Sequence, residues 1–114
     1  MILSLVLFAQ IALRTYYPVP ISELGRNRHT HVRVQGIVTL VKHEKDGDLH
    51  IRLSDGKGST VVCECIPALP CAEPIRGEVI EVWGISRQDR QHGGWEEVHP
   101  VEKWAESQKG DTGE

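Results

Sequence analysis

The sequence predicts an all-β domain: a small five-stranded barrel with a short N-terminal segment and a disordered C-terminal tail. Three observations predict it. Five segments alternate apolar and polar residues with a period of two, the pattern of half-buried strands. Asp46-Gly47 stands between the first two segments, and Asp-Gly is a strong hairpin signal. Pro67, Pro70 and Pro74 exclude a long helix from the connection after the third segment. A chain of 114 residues is one domain, and an apolar fraction of 39% gives it a small core.

Residues 1–10 form an apolar run too short to span a bilayer. The run matches the apolar core of a secretory signal peptide, with cleavage expected after Ala9, although no basic residue precedes it. Residues 1–20 are therefore read as a signal peptide or N-terminal extension, which favours a periplasmic or secreted location over the cytoplasm. Pro18 and Pro20 keep the next stretch out of regular helix, and 21–25 suits one short turn that stops at Gly25.

The first strand covers 31–41. Val32, Val34, Val38 and Leu40 are expected on one face, with Gly36 marking a bend or bulge. Its length suits a strand that serves two sheets. In the second strand Leu49, Ile51 and Leu53 face inward, and His50 and Arg52 outward. The third strand, 60–66, places Val61, Cys63 and Cys65 on one face and Val62, Glu64 and Ile66 on the other. The fourth covers 78–85, and its Val82-Trp83-Gly84-Ile85 echoes Val34-Gln35-Gly36-Ile37. The fifth covers 95–101, ended by Pro100 or soon after it. The barrel is thus placed at 21–104 and a disordered tail at 105–114, where no apolar period remains.

A net charge of −3 gives no global basic field. The basic residues Arg26, Arg28, Arg33, Lys42, Lys45 and Arg52 nevertheless cluster in the first half of the barrel. Three cysteines without a C-x-x-C pair do not make a zinc knuckle. Cys65 and Cys71 flank a short proline-containing loop and can pair; Cys63 and Cys65 share a strand face and cannot easily bridge.

Ile21-Ser22-Glu23-Leu24 followed by Val32-Arg33-Val34-Gln35-Gly36-Ile37-Val38 resembles the opening of OB-fold nucleic-acid-binding domains of the anticodon-binding type. Residues 46–51 and 95–101 are also similar to small bacterial OB-like proteins, a likeness that carries no activity. The resemblance spans about 21–101 and implies an OB-type Greek-key barrel. The helix often found between strands three and four in that fold is replaced here by the proline-rich 67–74 stretch.

That fold implies binding across strands two and three, clamped by the loops between strands one and two and strands four and five. Those loops hold Lys42, His43, Lys45, Arg87, Arg90 and His92 as phosphate partners, while His50 and Arg52 lie on the strand face. Stacking on aromatic rings supplies about 1–3 kcal/mol per base. The two face strands contain no Phe, Tyr or Trp, so Trp95 and Trp83, beside the second loop, are the stacking candidates. The expected function is non-enzymatic: weak, mainly electrostatic binding of single-stranded nucleic acid or another polyanion. The alternative is an extracytoplasmic module that binds a protein, a small ligand or a metal.

Enzymatic readings lack their residues. Asp46-Gly47-Asp48 resembles the D-G-D of thermonuclease-type barrels, with Asp48 as the nearest metal ligand. The following strand and loop supply only Glu64 of the arginine, aspartate and glutamate that family needs. No G-x-S-x-G, P-loop, H-E-x-x-H or dinucleotide glycine motif occurs. His50, Glu64, His92, Glu96, Glu97 and His99 lie in or beside strands without a close metal spacing. His50 and Glu64 are expected to meet across the sheet as a hydrogen-bonded pair, and no cofactor is expected.

Overall fold

The computed structural model describes residues 15–89 and 93–107. Its elements are β1 (Tyr17–Pro18), a 3-10 helix (Ile21–Arg26), β2 (His31–His43), β3 (Leu49–Ser54), β4 (Thr60–Cys65), β5 (Val79–Gln88) and β6 (Glu96–Glu106). The five long strands are the five expected, and the described residues contain no α-helix. They run β2-β3-β4-β6-β5, and β5 pairs back onto β2 to close the barrel. Closure removes the open sheet edges that a small β domain would otherwise expose. β1 is a two-residue addition, parallel to β2. The expected cleavage after Ala9 falls outside the described residues.

β2 serves two neighbours, as its length suggests. His31 to Ile37 pair with β5, and Ile37 to His43 pair with β3. Gly36 lies where it passes from one to the other. A Cβ there would sit 2.9 Å from Leu53 Cβ and 3.0 Å from the Ser54 carbonyl, so the missing side chain lets the strand curl.

The inward face of β2 departs from the expected pattern. Val32, Val34 and Val38 are buried, but Leu40 is exposed and Val41 packs on the core instead. The cause is a bulge: Val38 pairs with Leu53 and Leu40 with Arg52, two steps on β2 against one on β3. The extra residue reverses the parity of everything after it. Leu40 and Lys42 consequently share the outer face with Arg52 and His50, their register partners.

The core is built from Leu24 on the 3-10 helix and from Ile51, Leu53, Val61, Cys63, Ile80, Val82, Val98 and Val101 on the strands, all buried. Each such side chain contributes about 1.5–3 kcal/mol on burial. β6 runs further than the expected end near 101. Ala105 and Glu106 pair with Glu81 and Ile80, which draws the first two residues of the expected tail into the barrel. Pro100 does not stop the strand because it falls at an irregularity. Gly84 and Ser86 face Val101 and Val98, so β6 spends an extra residue there and the missing proline N–H leaves no gap in the ladder. Cys65 and Cys71 are joined, with Cα atoms 5.9 Å apart, while Cys63 is buried and free.

Candidate functional site

A groove crosses the outer faces of β3 and β4. It is bounded by the β2–β3 connection on one side and the β5–β6 connection on the other, with Arg28 and His29 from the segment before β2. Of the residues expected to bind, Lys42, His50, Arg52, Arg87 and Trp95 line it. The β2 bulge is what puts Lys42 there. His43 points elsewhere: its side chain is exposed and its Nε2 lies 2.7 Å from Glu73 Oε1. Lys45 is exposed in the turn and does not line the groove. Arg90 and His92 lie outside the described residues. Trp83 sits away from the groove, under the ammonium of Lys103 at 4.7 Å from the ring centre.

The Asp46-Gly47 turn forms as expected. Gly47 takes a φ of +94°, a conformation that favours glycine. Asp46 Oδ1 accepts the backbone N–H of Asp48 at 3.0 Å, and Glu44 N–H donates to the Asp48 carbonyl at 2.9 Å. These bonds hold Asp48, itself buried, at the groove's edge.

The floor is a chain of titratable groups. His50 and Glu64 are register partners and meet as expected, with Nε2 3.0 Å from Oε1. The other oxygen of Glu64 lies 3.6 Å from His99 Nε2. Arg87 Nη1 donates to His99 Nδ1 at 2.9 Å, and His50 Nδ1 lies 3.7 Å from Glu44 Oε2. Burial, a hydrogen bond with Asp48 and the negative charges of Glu97, Asp48 and Asp46 push Glu64 up to about 8. Burial, followed by the charge of Asp89, also raises Glu97. Arg28 closes one end with a forked contact to Glu96, Nε to Oε1 at 3.1 Å and Nη2 to Oε2 at 2.5 Å.

The groove therefore has a cationic rim of Arg28, Lys42, Arg52 and Arg87 over a floor of Asp46, Glu64 and Glu97 with two histidines, and buried Asp48 lies beside Glu64 and His99. Sequence reasoning named the rim on β2, β3 and β5 but missed Arg28 and the position of Asp48. Strand alternation carries a signal for part of the floor: Val62 and Glu64 on β4, and Glu97 and His99 on β6, sit two apart. Nothing local places Arg28, whose role depends on Glu96, 68 residues away.

No family model matches the sequence, and no curated protein is significantly similar to it. Solved structures are similar. The telomere capping protein Ten1 from S. pombe shares 25% identity over 76% of this chain and 79% of its own, with a TM-score of 0.55. The S. pombe Stn1–Ten1 complex matches at 22% identity over 78% and 76%, with a TM-score of 0.54. An OBody bound to hen egg-white lysozyme matches at 18% identity over 82% and 98%, with a TM-score of 0.60. With its closed barrel and its strand order, the chain is an OB-fold domain.

Proposed function

We propose that the chain is a non-enzymatic binding module that takes single-stranded nucleic acid or another polyanion along the groove rim. The observation that carries this reading is the convergence of Lys42, Arg52, Arg87 and Trp95 on one groove of an OB barrel. They come from three strands and a loop, and fold closure brings them together on the face this fold commonly uses. The likeness to a telomere capping protein supports it. With one indole at the groove, affinity comes from charge more than from stacking.

The test is a salt titration of the full chain against a labelled single-stranded oligonucleotide, read by fluorescence anisotropy. Binding should weaken steeply with salt. Replacing Arg52 and Arg87 by alanine should reduce the slope of log K against log salt by about 0.7 for each phosphate that is no longer neutralised. No binding even at low salt overturns the reading.

The acidic floor supports a second reading, a module for a cationic protein surface. Two of the similar structures are of complexes with a protein, Stn1–Ten1 and the OBody on lysozyme. The Cys65–Cys71 bond suits an extracytoplasmic setting for such a module. Mature protein beginning at Gln10, read by intact mass, together with the absence of oligonucleotide binding, would select this reading.

A further inference from the structure

We propose that the groove floor holds one divalent transition-metal ion, with Asp48, Glu64 and His99 as its protein ligands. One donor atom from each of these side chains lies within 4.8 Å of the other two. The three belong to the β2–β3 connection, β4 and β6. The turn hydrogen bonds fix Asp48, and the parallel pairing of Val62 with Glu97 and Cys63 with Val98 draws β6 alongside β4. Barrel closure, and not one surface segment, assembles the set. An imidazole nitrogen with two carboxylate oxygens suits zinc or a neighbouring first-row ion. Three protein donors leave coordination positions for water or a ligand in the groove.

Burial points the same way. Asp48 and Glu97 are only 9% and 7% exposed. Buried carboxylates are normally paired with a cation or fully hydrogen-bonded. Among the described residues no lysine or arginine forms an ion pair with Asp48, Glu64 or Glu97; Arg28 and Lys42 pair with Glu96 and Glu44, and Arg87 donates to His99. Glu97 faces the same groove, where burial and the charge of Asp89 outweigh the favourable charges of His99, Arg87 and His50. A bound cation adds positive charge directly among these carboxylates, beyond what Arg87 supplies through its contact with His99. His50 supports the site from outside, its Nε2 3.0 Å from Glu64 Oε1, where an N–H holds the carboxylate in place.

Loading the site opposes one contact. Arg87 donates to His99 Nδ1, so that nitrogen offers its lone pair and Nε2 faces Glu64. Coordination through Nε2 requires the proton on Nδ1, where it meets the arginine N–H head-on. The ion therefore displaces Arg87 from His99 and frees its guanidinium for the groove. The use of that freed arginine by a polyanion rests on the proposed function; the metal site itself does not.

The test is calorimetric titration of zinc chloride into the untagged full chain, with no nucleic acid present. One saturable site per chain is expected. Asp48→Asn, Glu64→Gln and His99→Ala should each weaken it by at least about tenfold. Arg87→Ala should strengthen it, because a competing cation and donor are removed. Cobalt loading, read by visible absorption, and circular dichroism of each variant separate ligand removal from unfolding. If one ligand variant fails to fold, the other two and Arg87→Ala decide the matter. No saturable site in the wild-type chain, or a site that survives the ligand substitutions, overturns the proposal. The titration contains no oligonucleotide, so its failure and the failure of the polyanion reading are separate results.

Discussion

Asp55 shows how much one side chain can organise. Its Oδ1 accepts the backbone N–H of Lys57 at 2.7 Å and of Ser59 at 3.0 Å, closing the β3–β4 turn. These bonds, Lys57 first, hold its carboxyl below the ordinary 3.8. A folded-state value below the unfolded one contributes stability above the unfolded value and loses it as pH falls through the folded value. Asp55→Ala should therefore lower the melting temperature at neutral pH. Its deficit against the wild type should vanish once the medium is acid enough to protonate Asp55 in the folded chain. Melting curves across that range check it, and a deficit independent of pH would assign the effect to something other than the carboxylate.

At the scale of the element, close strand approach matters more than propensity. β5 crosses β6 at Gly84, where a Cβ would lie 2.4 Å from the Pro100 carbonyl and 2.5 Å from Val98 Cγ1. Backbone and a buried valine cannot yield as a flexible side chain would. Gly84→Ala should thus cost about 1–3 kcal/mol by overpacking, measured by urea unfolding. Full wild-type stability would show that β6 can move away. The β2 bulge is the other decisive element. It sends Lys42 to the groove, and without it the alternation of Val34 and Val38 would have pointed Lys42 inward.

Across the whole molecule, the longest connection is fastened at two points. Cys65–Cys71 closes a loop with a sequence separation of 6. Trp104 Nε1 on β6 donates to the Ala72 carbonyl at 2.7 Å, tying that loop to the far end of the barrel. Replacing Cys65 and Cys71 by serine should lower stability by about 2 kcal/mol, from the entropy the bridge removes from the unfolded chain. Chemical denaturation of oxidised wild type against the double variant measures it. A negligible difference would mean that the Trp104 hydrogen bond and the prolines already hold the loop.

Much of this barrel is legible in its sequence because the signals are local. Period-two alternation places Leu49, Ile51 and Leu53 inside and His50 and Arg52 outside, and the structure keeps them there. Asp46-Gly47 names its own turn, Gly36 its bend, and three prolines replace a helix with a loop. The His50–Glu64 meeting follows from two strands in register. Only the tertiary structure decided the rest. The Val38–Leu40 bulge exists in the pairing with β3, not in β2 alone, so alternation put Leu40 on the inner face and gave no sign that it and Lys42 turn outward. The end of β6 depends on partners at Ile80 and Glu81. The grouping of Asp48, Glu64 and His99 depends on a parallel strand pair formed by segments far apart in the chain. Alternation reports which way a side chain points from its own strand; which side chains then face one another is set by closure of the barrel.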